Sequence, residues 1–296
     1  MIRIERAGFG SSVQDRGRSG HAREGVPLSG PADPFAFRAA QALVGNTPAD
    51  AAIEAVGLPF SFRCESSRII AVTGRDVAVT VRDPVPAWTS VFVRAGDLVT
   101  ISGTARSRYT YVAVSGGIAS EPILGSRSAY PRAGLGAFLR PGDALALGRA
   151  RRSAEDAGNS VSFEYQGDVA AMPGPHLGRF DDETVARLFG AAFTVGAEGD
   201  RQGVRLEGAA VAPREGEMLT CGVIAGAVQV PRGGLPIVLL ADHQTTGGYP
   251  IIATVIGADL GLVAQRAPGE TLHFYRVDRE RALFLGRERV ASLASA

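Results

Sequence analysis

The chain contains no lysine, so all 31 of its basic residues are arginine. That absence removes a lysine Schiff base, a phosphate loop of the Gly-x-x-x-x-Gly-Lys-Ser/Thr kind, and a lysine that could carry covalent biotin or lipoate. Anions must therefore be held by arginine forks, backbone N–H groups or helix N-termini. Cysteine is nearly as scarce. Cys64 and Cys221 lie in different halves of the chain and form neither a disulfide framework nor a Cys-x-x-Cys metal cluster, so both read as structural. The four histidines, His21, His176, His243 and His273, show no metal-ligand spacing, and no metal site is expected. No apolar run approaches the roughly 18 residues of a membrane span. A formal charge of +1 gives no field that would gather nucleic acid. The opening residues Met1 to Arg6 alternate apolar and charged like an edge strand and lack the apolar core of a secretory leader. A cytoplasmic protein is the expectation.

What is abundant is punctuation. The 38 glycines and 17 prolines are spread along all 296 residues, the pattern of many turns joining short elements. Arg68 to Val72, Val77 to Val81, Ser90 to Val93, Tyr109 to Val114, Gly222 to Val230, Ile237 to Leu240 and Ile251 to Val255 are short, β-branched and bounded by turn residues, and read as strands. Arg94-Ala95-Gly96-Asp97, Arg140-Pro141-Gly142-Asp143 and Ala267-Pro268-Gly269-Glu270 repeat one turn chemistry ahead of a strand. Three helices are predicted. One starts at the N-cap Asp33 with Pro34 and stops at Gly45, one runs from Asp181 to Gly190, and a shorter one covers Asp259 to Gln265. The fold class is thus mainly β with a few short helices. The length suits two domains, 1–150 and 151–296, with Arg149 to Asn159 as the linker.

Chemistry concentrates in a few stretches. Asp242-His243-Gln244-Thr245-Thr246-Gly247-Gly248-Tyr249-Pro250 follows an apolar strand and offers hydroxyl and amide groups, glycines that admit a ligand to the backbone, and a tyrosine. It suits a urea-like or amide group, and equally a turn whose hydroxyls cap its own backbone. In Asp200-Arg201-Gln202-Gly203-Val204-Arg205, alternate positions of an extended strand put Arg201 and Arg205 on one face, where they could clamp a carboxylate or phosphate; a solvated strand of ion pairs has the same pattern. Pro173-Gly174-Pro175-His176 is a rigid loop that positions one imidazole, a conceivable general base. The turns Ser115-Gly116-Gly117 and Gly125-Ser126-Arg127-Ser128 could cradle an oxyanion. Between Gln14 and Pro34 runs a polar, Gly/Pro-rich stretch of the length that usually signals function or a partner surface.

Taken in order, Gln14-Asp15-Arg16-Gly17-Arg18, Gly25-Val26-Pro27-Leu28-Ser29-Gly30-Pro31, Leu43-Val44-Gly45-Asn46, Ser115-Gly116-Gly117-Ile118, Leu124-Gly125-Ser126-Arg127-Ser128, Pro173-Gly174-Pro175-His176, Asp200-Arg201, Arg205-Leu206-Glu207-Gly208 and Gln244-Thr245-Thr246-Gly247-Gly248-Tyr249-Pro250 resemble the signature blocks of the biotin-dependent carboxyltransferase family, which takes in the second subunit of allophanate hydrolase, the C-type subunit of 5-oxoprolinase and the carboxyltransferase region of urea carboxylase. Ala32 and Gln202 stand where that family more usually has Met. The resemblance implies two tandem cyclophilin-like β-barrel domains and a partner like the first subunit of allophanate hydrolase or the B-type subunit of 5-oxoprolinase. In one activity it implies, a complex with a third subunit opens 5-oxoproline to glutamate using ATP and a divalent metal ion shared with the partner. In a second, a carboxyl group moves from biotin, carried on another chain, to urea or a similar amide. A third role is a non-enzymatic regulator that sequesters its partner. The site it implies has Asp200, Tyr249 and His176 as catalytic groups. Arg201, Arg205, Gln244, Thr245, Thr246, Gly247 and Gly248 would hold substrate, and Ser115, Gly116, Gly117, Arg127 and Ser128 would contact an oxyanion or phosphate.

Overall fold

A computed structural model describes residues 1 to 293 and divides into two compact units. The first comprises Met1–Ser19 and Ser29–Glu164, with residues 291–293; the second comprises Gly20–Leu28 and Tyr165–Val290. The chain is mainly β, with four helices among the described residues.

In the first unit two antiparallel sheets share one core. One has six strands, in the order Ala144–Leu145, Ile2–Arg6, Phe60–Cys64, Leu98–Gly103, Val77–Thr80 and Pro84–Val85. The other has five, in the order Ser12–Gln14, Ala52–Ala55, Thr110–Val114, Arg68–Gly74 and Ser90–Val93. Ile4, Phe62, Val99 and Ile101 from the first sheet and Ile53, Ile70, Val72 and Val112 from the second form the shared core. Thr110–Val114 is buried at every position, because helix α1 (Pro34–Leu43) covers the face turned away from the core. Thr73 donates its hydroxyl to the Ala36 carbonyl at 2.7 Å, and Phe37 meets Tyr111 edge to face at 5.9 Å. Asp33 caps α1 as predicted, its Oδ1 accepting the N–H groups of Phe35 and Ala36 at 3.2 and 3.1 Å.

The repeated turns share one construction. Asp97 Oδ2, Asp143 Oδ2 and Glu270 Oε2 accept the N–H of Arg94, Arg140 and Ala267 at 2.9, 2.7 and 2.7 Å, three residues back in each case. The intervening Gly96, Gly142 and Gly269 have φ of 89°, 94° and 84°, a left-handed conformation that favours glycine.

The second unit is a closed seven-stranded barrel. Its order is Val169–Pro173, Ile251–Val255, Ala227–Gln229, Ile237–Leu239, Gly203–Gly208, Ala192–Gly199 and Thr271–Arg276, which returns to Val169–Pro173 as the one parallel pairing. Gly203–Gly208 alternates as a barrel strand should, with Val204 and Leu206 buried and Arg205 and Glu207 exposed. Helices α2 (Asp182–Gly190) and α3 (Leu260–Ala264) fall where the sequence places them. A further helix, α4 (Arg279–Ala291), was not expected, since it buries no residue fully and so carries no clear apolar stripe.

The units part at Glu164 and Tyr165 rather than within Arg149 to Asn159. That stretch is tied into the first unit. Ser115 Oγ accepts the N–H groups of Arg151 and Arg152 at 3.0 Å each, Ser90 and the 158–159 backbone exchange bonds at 2.8 Å, and the Phe163 ring sits 4.5 Å from Phe35. Small and charged residues suggested a linker, but the partners that fix them are distant in sequence.

Candidate functional site

The loop 241–250 leaves the barrel strand Ile237–Leu239 and is fixed at both ends. At its start Asp242 donates its N–H to the Arg201 carbonyl at 2.8 Å, while the Arg201 fork grips the Asp242 carboxylate, Nε to Oδ2 at 2.7 Å and Nη2 to Oδ1 at 3.0 Å. Both side chains are largely buried, 13% and 8% exposed, so this bidentate pair belongs to the scaffold of the loop. At its end Ile251 donates its N–H to His176 Nδ1 at 3.1 Å, and His176 donates its own backbone N–H to the Ile251 carbonyl at 3.3 Å. Between these anchors Thr246–Gly247 pairs with Cys221–Gly222, and Val223 donates to the Thr245 carbonyl at 3.1 Å. Gln244 Nε2 donates to Oε1 of the buried Gln229 at 3.0 Å. A Cβ on Gly247 would lie 2.5 Å from Gln229 Nε2, whereas one on Gly248 would meet nothing closer than 3.7 Å. Thr246, Gly248 and Tyr249 are exposed at the tip.

His243 lies inside the loop, 7% exposed, with Nδ1 2.6 Å from the Gln244 carbonyl. Burial pushes its pKa below the ordinary histidine value, against the upward pull of the Gln244 carbonyl and the Asp242 charge, so the ring is neutral at pH 7.

Two expectations are revised. Arg201 lies in the turn between two strands, where Gln202 donates to Asp200 Oδ1 at 2.7 Å, so the alternation that put it on one face with Arg205 does not reach it. Its fork is turned on Asp242, while Arg205 is exposed and stands 3.3 Å from Glu198 at the surface. Neither is placed by a shared strand face as a joint anion clamp. The Ser115-Gly116-Gly117 turn is a joint rather than an oxyanion cradle. Its three N–H groups donate to Ile69 O, Asn46 Oδ1 and Val114 O, at 2.8 Å each.

In the first unit the turn Gly125 to Ser128 does cradle an anion, and the anion is the chain's own Asp15. Its carboxylate accepts from Ser126 Oγ at 2.6 Å, Ser128 Oγ at 2.7 Å, Arg127 N at 2.7 Å and Gly17 N at 2.9 Å. Burial raises the Asp15 pKa, but these four hydrogen bonds outweigh it and hold the carboxyl below its usual range. The fully buried Arg18 donates to the carbonyls of Ser128 at 2.6 Å and Ile123 at 3.1 Å, and Arg127 Nε to that of Ser120 at 2.6 Å. Arg127 and Ser128 thus join a lock between two distant stretches of the first unit.

Gln244 to Tyr249 and His176 gather in the second unit, whereas Ser115 to Gly117, Arg127 and Ser128 belong to the first. Asp200 is exposed in its turn. Sequence reasoning included Asp242 and His243 in this stretch without giving either a role in it, and missed Gln229, the strand residue that orients Gln244. His243 stood in the motif and was judged only as a metal ligand. Among the described residues no group of three or more His, Cys, Asp or Glu is arranged to hold a metal ion.

Comparison with known proteins gives a consistent result. The sequence profile of the family described as carboxyltransferase domain, subdomain A and B, matches residues 24–276. The chain is 33% identical over 290 residues to the C subunit of 5-oxoprolinase from Escherichia coli (strain K12), covering 96% of this chain and 93% of that protein. It is 32% identical to the C subunit of 5-oxoprolinase from Haemophilus influenzae, covering 94% and 92%. The crystal structure of the K. lactis urea amidolyase superposes with a TM-score of 0.86 at 26% identity, covering 99% of this chain and 20% of that one. The chain therefore spans nearly all of the two bacterial proteins and one fifth of urea amidolyase.

Proposed function

We propose that this chain, which belongs to the family of carboxyltransferase domains made of subdomains A and B, is the C-type subunit of a cytoplasmic, heteromeric, ATP-dependent 5-oxoprolinase that opens 5-oxoproline to glutamate. The carrying observation is its end-to-end similarity to proteins named as the C subunit of 5-oxoprolinase, 93% of the E. coli protein being covered. The geometry agrees with a small amide as substrate. The loop 243–250 exposes hydroxyl, amide and backbone groups at a tip that glycine leaves open, between anchors that keep it in place. Thr246, Gly248 and Tyr249 meet the ligand in this reading, with Gln244 oriented behind them by Gln229.

In this reading ATP and its divalent metal ion are shared with the partner subunits. Neither turn that the sequence offers for a phosphate is open to one: the three N–H groups of Ser115 to Gly117 are all taken, and the Arg127 turn is filled by Asp15. The B-type subunit of a 5-oxoprolinase and a third subunit are the expected partners.

The superposition on urea amidolyase favours a second reading, carboxyl transfer from biotin to urea. With no lysine in the chain, biotin would arrive on another protein. One assay separates the two. The chain is mixed with its partner and third subunit, and glutamate and ADP are followed with avidin present. Glutamate formation that requires ATP and ignores avidin is the expected result; inhibition by avidin, or no glutamate from the complete complex, moves the assignment to carboxyl transfer.

A further inference from the structure

Gln229 ends the barrel strand Ala227–Gln229, where it is 1% exposed and its strand partner on each side is an isoleucine, Ile237 or Ile251. The two ends of its amide are treated differently by the fold. Oε1 accepts from Gln244 Nε2 at 3.0 Å. Nε2 is buried without a hydrogen-bond partner, at a place where a Cβ on Gly247 would come within 2.5 Å of it and 3.4 Å of both Gln244 Nε2 and Val223 Cγ1. A buried donor left unpaired costs about 1–3 kcal/mol, and an apolar side chain of the same shape, such as methionine, carries no such cost. Packing therefore does not explain a glutamine here. What the fold uses is its acceptor oxygen.

That oxygen holds one end of an exposed side chain. Gln244 lies at the surface, and its side-chain amide makes no other hydrogen bond among the described residues. An amide has a donor end and an acceptor end. With the nitrogen of Gln244 drawn onto the buried Gln229, Oε1 is the end left for a ligand, and it accepts from an N–H. We propose that Gln229 is a positioning residue: it sets the Gln244 amide with its oxygen toward the ligand, so that the loop selects a ring bearing an N–H beside its carbonyl. The assignment rests on the lactam-opening reading and gives that site its means of telling a cyclic amide from the same ring without the N–H. Gln229 touches no substrate and acts only through Gln244.

Gln229→Met tests this, because it keeps the side-chain shape and removes the acceptor and the unpaired donor together. The melting temperature of the variant chain should equal or exceed that of the wild type. In the complex reconstituted with its partner and third subunit, KM for 5-oxoproline should rise about tenfold with kcat little changed. The probe for the N–H is the cyclopentanone analogue of 5-oxoproline, with a methylene in place of the ring N–H; its inhibition constant should be nearly the same in variant and wild type. Gln244→Met should reproduce the KM effect, and the double variant should lose no more than either single one, since the two residues act as a unit. A melting temperature lowered by several degrees in Gln229→Met makes the residue structural and overturns the inference whether or not the complex turns over 5-oxoproline. An equal loss on 5-oxoproline and on the analogue, or additive losses in the double variant, overturns the amide pair and leaves the lactam reading standing. No glutamate from the complete wild-type complex overturns the lactam reading itself, and the selection of a ring N–H with it.

Discussion

Asp15 shows how a single side chain carries structure that its neighbours in sequence do not reveal. Four donors converge on its carboxylate, and three of them, from Ser126, Arg127 and Ser128, lie more than 110 residues away. Replacing Asp15 with Ala leaves those buried donors without an acceptor and should cost on the order of 3 kcal/mol. Its pH dependence has a definite sign. Because the folded pKa is depressed, the stabilisation is fully present above the unfolded value of about 3.9 and is lost as pH falls through the lower folded value. Urea midpoints of the wild type and Asp15→Asn, measured between pH 6 and pH 3, should differ most at pH 6 and converge toward pH 3; a constant gap would contradict the account. Cysteine chemistry also divides by site. Burial pushes the Cys64 thiol up to about 11, while Cys221 is only half-buried. A thiol reagent at pH 8 should modify Cys221 and spare Cys64 in the folded chain, as peptide mapping would show.

The loop 243–250 has adjacent glycines with different tolerances. Gly247 faces the buried Gln229 amide, and an added methyl would approach Nε2 to 2.5 Å, so something must shift. Gly248 has open space. Gly247→Ala should therefore lower stability by about 1–3 kcal/mol and disturb the Gln244 contact, whereas Gly248→Ala should leave the melting temperature nearly unchanged. Equal melting curves for the two variants would refute the packing of Gln229 beneath the loop. At helix α1 the cap makes a parallel case. Asp33→Ala removes the acceptor of two first-turn N–H groups and should cost about 1 kcal/mol in chemical denaturation. α1 covers a strand buried at all five of its positions, so the loss should be felt through the whole first unit.

For the molecule as a whole, the prediction concerns assembly. Under the proposed assignment the isolated chain is one subunit of an enzyme that needs its partners. Co-expressed with its B-type partner it should elute as one complex in size-exclusion chromatography. Separate elution at micromolar concentration would count against the proposed assembly. The polar stretch from Gln14 to Pro34 is less of a free surface than its composition implies. Gln14 is a strand residue, Asp15 and Arg18 are buried, and Asp33 caps α1, while Gly20–Leu28 groups with the second unit.

Local rules were enough for whatever is decided within a few residues. The cap at Asp33, the start of the second helix near Asp181, the three Gly-Asp or Gly-Glu turns, most strands and the exclusions that follow from having no lysine are all legible from the chain alone, because each depends on covalent geometry or on contacts a few residues apart. The ordered motif blocks gave the family in the same way. The tertiary structure decided whatever depends on partners far along the chain. It placed the unit boundary at Glu164 and Tyr165, closed the barrel of the second unit through a parallel pairing, turned Arg201 onto Asp242 and filled the Arg127 turn with Asp15. It also set His243 Nδ1 against the Gln244 carbonyl and His176 Nδ1 against the Ile251 N–H. A side chain's composition says which hydrogen bonds it can make, and only the folded chain says which of them are already taken.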